Sequence, residues 1–114
     1  MLHCSYPYEK KAAIMAYQYS NLYVDLSIPT FFHGNLEHTL MTFLEFTPHQ
    51  KLFYGSDAWH TPELFGYDAY FFKKALKNAL EKISDFYEIS EDEIAGLAKR
   101  YCLKTQKKFL QINK

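Results

Sequence analysis

The sequence predicts an α/β domain in which about three parallel strands are flanked by helices, with a helical segment at the C-terminal end. Short β-rich segments at residues 2–5, 22–27 and 51–56 are each followed by apolar residues that recur at helical spacing. Strands separated by single helices need crossover connections, so the sheet must be parallel. A length of 114 residues suits one domain, residues 1–114.

The first two helices are predicted from periodicity and from their ends. One face of a helix begins at Tyr8, after Pro7, and is ended by Asn21. A second helix covers residues 36–44 and must end near Pro48, because the residue before a proline avoids the helical conformation. Both helices therefore lie between predicted strands.

Two more helices follow the third strand. Thr61, Pro62 and Glu63 form a start signal for a long helix, with threonine as the cap and glutamate at the positive end of the helix dipole. Ser90 and Glu93 have the spacing of a capping box and open the last helix.

Composition excludes several classes of function. Lys plus Arg and Asp plus Glu both total 13, so no basic excess indicates a nucleic-acid or anionic-membrane partner. No apolar run reaches transmembrane length, and no signal peptide is recognisable, so a cytoplasmic protein is expected. Cys4 and Cys102 could form one disulfide, but two free thiols in a reducing compartment are the favoured interpretation.

Chemically capable side chains follow the predicted strands. Because chemistry in parallel α/β folds sits at the carboxyl ends of strands, His3, Asp57 and His60 could lie on one rim and have ligand types suited to a divalent metal. The spacing alone leaves other readings open. Asp57 could be a turn residue, His3 a solvated terminal residue and His60 a loop residue. Cys4 is an unfavoured nucleophile, since neighbours on a strand point to opposite faces.

Several motifs, in order, resemble one family. Residues 52–58, ending in Gly-Ser-Asp-Ala, resemble the eighth strand of the amidohydrolase superfamily, and residues 57–64 resemble the loop that follows it. Residues 2–8 and 21–27 look like its sixth and seventh strands, and residues 89–94 look like the start of its C-terminal helix. The nearest branch is related to the N-terminal half of certain glutamine-synthetase fusion proteins.

The resemblance implies a partial (β/α)8 barrel equivalent to strands 6–8, and a metal-dependent hydrolase that acts on a C–N or related bond. It implies that Asp57 contacts the metal and is the general base, and that His3 binds metal or polarises the scissile group. The metal would be divalent, with zinc expected. Asp25, Ser27, His60 and Glu63 would line the same rim without a fixed role.

Two departures limit what the resemblance implies. The family's metal centre begins with a His-x-His pair, which this sequence does not contain, and residues 104–109 replace the family's closing motif. We therefore expect the isolated chain to be inactive and to bind metal weakly or not at all. A companion chain would carry the N-terminal barrel strands. Without it, a homo-oligomer is expected, and the alternative function is a non-catalytic remnant that self-associates.

Overall fold

The computed structural model describes residues 1–27 and 34–99, and these residues are mainly helical. Predictions that involve Cys102 and residues 104–109 lie outside the described part. The elements, in chain order, are a 3-10 turn His3–Ser5, helix α1 Glu9–Gln18, strand β1 Val24–Asp25, helix α2 Leu36–Phe46, a 3-10 turn His49–Lys51, strand β2 Leu52–Phe53, helix α3 Pro62–Tyr87 and helix α4 Glu91–Lys99.

The helices follow the sequence signals closely. Helix α3 has Thr61 at its cap position and Pro62 at its first position, although the threonine side chain makes no capping hydrogen bond. The capping box of α4 forms: the backbone N–H of Glu93 donates to Ser90 Oγ at 3.4 Å, and the backbone N–H of Ser90 donates to Glu93 Oε2 at 3.3 Å. These local signals sufficed because they act within one turn of chain.

The predicted fold class, a partial (β/α)8 barrel with about three parallel strands, is wrong. Within residues 1–27 and 34–99 the sheet consists of two strands of two residues each, and helices supply most of the structure. Residues 2–5 form a turn instead of the first strand, because His3, Cys4 and Ser5 all have left-handed φ angles of 53–55°. The prediction of parallel pairing is confirmed, with Val24 opposite Leu52.

Local hydrogen bonds explain why the strands are so short. The backbone N–H of Ser27 donates to the side chain of Asp25 at 2.7 Å and so leaves the strand ladder. At the other strand, the backbone N–H of Lys51 donates to the carbonyl of Pro48 in a turn that delays the start of β2. Asp, Ser and Pro thus convert predicted six-residue strands into two-residue strands.

The first residue continues the parallel arrangement on the other side of β1. The Met1 amino group donates to the Tyr23 carbonyl at 2.7 Å, and the backbone N–H of Asp25 donates to the Met1 carbonyl at 2.8 Å. These two bonds flank Val24, as they do in a parallel pair. They place the 3-10 turn that begins at His3 beside the end of β1.

The core lies between the helices and one face of the two strands. Helix α2 packs against both α1 and α3, and α4 packs against α3. Small buried residues of α1, including Ala13 and Ala16, allow α1 to pack closely on α2, whose Phe43 is fully buried in the same core. Burial of a side chain of this size contributes roughly 1.5–3 kcal/mol, so helix packing supplies much of the stability.

Two long side chains tie elements together. The Lys51 ammonium donates to the carbonyls of Ala16 at 2.6 Å and Tyr19 at 2.7 Å, and so satisfies the C-terminal end of α1. Glu37 of α2 accepts hydrogen bonds from Lys82 and Asn78 of α3. The Lys82 hydrogen bond, followed by that of Asn78, lowers the pKa of Glu37. Helix ends and helix pairs are therefore fixed by charge as well as by packing.

No helix within residues 1–27 and 34–99 is both long enough and apolar enough to cross a bilayer.

Replacing Lys51 by methionine should lower the free energy of unfolding by about 1–2 kcal/mol, because two carbonyls at the end of α1 lose a charged donor while the apolar stem is kept. Denaturant unfolding followed by circular dichroism measures the loss. Lys77→Met is the matched control, since Lys77 forms only an exposed ion pair with Glu81 and should change stability by less than about 0.5 kcal/mol. Equal effects of the two substitutions would show that the contacts of Lys51 contribute nothing specific.

Candidate functional site

The candidate site lies where three parallel segments of chain end. Met1, β1 and β2 run side by side in one direction, so the residues that follow them meet at one rim. His3 follows the first segment, Asp25 and Ser27 end the second, and Asp57 lies in the loop after the third. The structure therefore brings together four of the rim residues that the sequence singled out.

His3 and Asp57 are in contact although 54 positions separate them in the sequence. The Nδ1 atom of His3 lies 3.5 Å from Oδ2 of Asp57, and the two side chains are 43% and 44% exposed. Both residues have left-handed φ angles, 53° and 51°. Such angles are unfavourable for residues with a Cβ, by roughly 1–2 kcal/mol each. The surrounding structure holds both residues in conformations that turn them toward each other and keep them open to solvent.

Ser27 connects His3 to Asp25. The Oγ atom of Ser27 lies 3.3 Å from His3 Nδ1, and the same hydroxyl donates to Asp25 Oδ2 at 2.7 Å. The Ser27 backbone N–H occupies the other carboxylate oxygen, Oδ1, also at 2.7 Å. Ser27 is only 2% exposed, so this connection runs beneath the surface, whereas His3 and Asp57 face outward. The sequence indicated Asp25 and Ser27 only as rim residues. Their Asp-x-Ser spacing was the signal that could have predicted the hydrogen bonds between them.

Gly55 makes room for this arrangement. A Cβ atom at this position would lie 3.2 Å from Asp25 Oδ1 and 3.4 Å from the Ser27 Cβ. The first distance is shorter than ordinary van der Waals contact, so any larger residue would push against Asp25. The glycine of the Gly-Ser-Asp motif thus allows the end of β2 to approach β1, which brings Asp57 to the rim.

Two other rim candidates lie apart from this cluster. His60 is exposed, has a left-handed φ of 67°, and stacks on Trp59 with the ring centroids 4.4 Å apart. Glu63 is exposed in the first turn of α3. His60 is a loop residue, as the simpler interpretation of the sequence expected.

Cys4 is fully buried beneath the rim. Burial, with smaller contributions from the charges of Asp25 and Glu9, strongly raises the pKa of its thiol. The thiolate is the nucleophilic form of cysteine. Cys4 is therefore a core residue of the structure. The prediction that His3 and Cys4 point to opposite faces of a strand does not apply, because His3–Ser5 form a turn.

One buried polar contact supports the loop after β2 and was not predicted. The hydroxyl of Tyr54 donates to Oδ2 of Asp68 at 3.1 Å, and Asp68 is only 5% exposed on α3. The ring of Tyr54 also packs on Phe72, with the centroids 4.4 Å apart. Tyr54 thereby fixes the end of β2 against α3, close to the start of the Asp57 loop.

The rim offers the types of ligand that a divalent metal needs, but too few of them. An imidazole and a carboxylate are the ligand types that zinc and similar metals take. Within residues 1–27 and 34–99, however, no group of three or more His, Cys, Asp or Glu side chains is arranged to hold an ion. His3 and Asp57 can therefore supply part of a metal centre, and the remaining ligands would have to come from elsewhere.

Comparison with known proteins points to the same chemistry. No protein-family model matches the sequence. The chain is 33% identical over 85 residues to the fluG protein of Emericella nidulans, a stretch that covers 73% of this chain and 9% of that protein. It superimposes with a TM-score of 0.84 and 26% identity on a crystal structure from Lactobacillus casei ATCC 334, of a protein assigned as a metal-dependent hydrolase. The chain resembles part of a metal-dependent hydrolase.

The extent of the match limits what it shows. The structural likeness covers 98% of this chain and 29% of the Lactobacillus casei chain, and the chain spans less than a tenth of the fluG protein. The comparisons thus show a likeness to part of a protein assigned as a metal-dependent hydrolase, and the amidohydrolase superfamily stays a resemblance. The roles expected for His3 and Asp57 remain predictions.

The isolated chain should bind zinc weakly or not at all, because His3 and Asp57 offer two protein ligands where zinc sites use at least three. After dialysis against a chelator, elemental analysis should find far less than one zinc per chain, and His3→Ala should leave that value unchanged. His38→Ala is the matched control, since His38 is an exposed residue of α2. Stoichiometric zinc that resists the chelator would show that the site is complete.

Proposed function

We propose that this chain supplies a general base and an imidazole to a metal-dependent hydrolase that cleaves a C–N or related bond and is completed by a companion chain. The observation that carries the proposal is the contact between His3 and Asp57 at the ends of parallel segments, 3.5 Å apart and partly open to solvent. The similarity to a metal-dependent hydrolase supports it.

Asp57 is suited to accept a proton from water. Its side chain is 44% exposed, so a water molecule can reach a carboxylate oxygen. In the proposed reaction the water proton passes to Asp57, the water oxygen bonds to the substrate carbon, and the C–N bond breaks with its electron pair going to nitrogen. The proton held by Asp57 then passes to the departing nitrogen, which balances the reaction.

His3 is suited to orient or polarise the group under attack. Nδ1 of its ring faces Ser27 and Asp57. The other ring nitrogen, Nε2, can therefore bind a substrate or an ion. A divalent metal, with zinc expected, would supply electrophilic assistance to the reacting oxygen when it is bound. His3 and Asp57 would be its ligands in this chain.

We infer a companion chain because the described part of this chain offers too few metal ligands. A catalytic metal needs further protein ligands. Among the described rim residues, His3 and Asp57 are the two candidate ligands that face solvent together, and Asp25 is engaged by Ser27. We propose that a second chain, carrying a His-x-His motif, covers the rim and completes the site.

A second candidate function is self-association without catalysis. Large apolar side chains are exposed around the start of α3: Trp59, Leu64, Phe65, Tyr67 and Tyr70. We call this set the α3 aromatic surface. Trp59 is 77% exposed, and exposed large apolar side chains contribute to interaction surfaces. With a net charge of zero, little electrostatic repulsion opposes association of two copies.

Asp57→Asn should abolish hydrolysis in the complex of this chain with its companion, because an amide of the same size cannot take the proton of water. The measurement is turnover of amide substrates by the complex purified from its source, with circular dichroism to verify folding. Asp85→Asn, the same change at an exposed position of α3, should leave turnover intact. Full activity of Asp57→Asn would assign Asp57 to a turn role and refute its role as base.

The chain without a companion should sediment as a homodimer or larger species at micromolar concentration, because association would bury the exposed side chains of the α3 aromatic surface. Replacing Trp59 and Phe65 together by serine should shift the species toward monomer. Phe86→Ser, at the far end of α3 and also highly exposed, should not. A stable monomer in the unmodified chain would contradict this prediction.

A further inference from the structure

The direction of the hydrogen bond between Ser27 and His3 is determined by a third residue, Asp25, which binds the Ser27 hydroxyl. A serine hydroxyl has a single proton to donate and two lone pairs with which to accept. Ser27 Oγ has two polar neighbours, Asp25 Oδ2 at 2.7 Å and His3 Nδ1 at 3.3 Å. Only one of them can receive the proton.

Asp25 takes that proton. Its carboxylate can only accept hydrogen bonds, and both oxygens are engaged by Ser27: Oδ1 by the backbone N–H at 2.7 Å and Oδ2 by the hydroxyl at 2.7 Å. The shorter distance to Asp25 marks it as the acceptor of the hydroxyl proton. Toward His3, Ser27 Oγ therefore presents a lone pair.

A lone pair on Oγ requires a proton on the facing nitrogen. We infer that Asp25, acting through Ser27, holds neutral His3 in the tautomer that carries its proton on Nδ1, so that Nε2 is the nitrogen offered to a metal or substrate. The second neighbour of Nδ1 agrees, since Asp57 Oδ2, at 3.5 Å, is also an acceptor. Asp25 and Ser27 are thus positioning residues for His3.

This arrangement deepens the proposed function, on which its catalytic use rests. Histidines that bind metals donate the N–H of the other ring nitrogen to a neighbouring acceptor, which fixes the ring and the tautomer. Ser27 offers that acceptor before any ion is present. The tautomer itself is a property of the metal-free chain and can be measured without turnover.

The test is nuclear magnetic resonance of the metal-free chain with ¹⁵N-labelled histidine, at a pH where the ring is neutral. Long-range ¹H–¹⁵N correlations distinguish a protonated from an unprotonated ring nitrogen. The signals of His3, one of five histidines, are assigned by their loss in His3→Gln. The expected result is protonated Nδ1 and unprotonated Nε2; the reverse pattern in the unmodified chain overturns the inference, and so does an equal mixture.

Asp25→Asn should move His3 toward the opposite tautomer. The amide can keep its oxygen on the Ser27 N–H and place its NH₂ donor toward Ser27 Oγ, which frees the hydroxyl proton for His3 Nδ1. Ser27→Ala only removes an acceptor and leaves Asp57 beside Nδ1, so its shift should be smaller. If Asp25 and Ser27 only contributed to packing, the change in the His3 tautomer would follow the loss of stability in each variant. It would not depend on whether the variant lets Ser27 donate its proton to His3.

Asp85→Asn, distant on the surface of α3, is the matched control and should leave the His3 spectrum unchanged. If Asp25→Asn folds and the His3 tautomer is unchanged, Asp25 does not determine that tautomer. If that variant does not fold, the spectrum of the unmodified chain remains decisive. Full turnover in Asp57→Asn would refute the proposed function and leave the tautomer of His3 unaffected as a finding, so the two ideas fail separately.

Discussion

The carboxylate of Asp25 is the constraint on which the rim depends. It accepts two hydrogen bonds from Ser27, one from the backbone and one from the hydroxyl. The first ends β1 after two residues, and the second fixes the hydroxyl that faces His3. The same carboxylate favours glycine at the position after Tyr54, because a Cβ at Gly55 would crowd it at 3.2 Å. One side chain thus shapes the strand end, the loop that carries Asp57, and the histidine.

The helices give this rim a rigid base. Helix α2 lies against both α1 and α3, with Glu37 held by α3 and the end of α1 held by Lys51. Lys51 directly precedes β2, so the lysine that closes α1 also fixes the start of that strand. Helix packing and these charged hydrogen bonds together fix where the two short strands end.

The helices could be predicted from sequence because their signals are local. The capping box at Ser90 and the Thr61-Pro62 start act within a few residues, and both appear where expected. The lengths of the strands could not be predicted in this way, since apolar content alone does not reveal that Ser27 donates its backbone N–H to Asp25. Strand pairing also depends on partners distant in the chain, and a two-stranded sheet has few of them.

The candidate site shows the same division. The Gly-Ser-Asp motif and the order of segments were enough to place His3, Asp25, Ser27 and Asp57 on one rim, where the structure has them. The sequence could not show that three successive residues from His3 turn left-handed, or that Ser27 bridges to His3, because both result from contacts between segments. His60 carried the same side-chain chemistry as His3, and only the three-dimensional arrangement separates the two.

The burial of Cys4 gives the protein an internal reporter. Cys4 follows His3 directly and is fully covered, and the raised pKa keeps its sulfur in the unreactive thiol form. An alkylating reagent can therefore reach Cys4 when the N-terminal turn separates from α1 and β1, which it contacts. The rate of modification at this sulfur measures how often the rim opens, in a chain that needs no added label.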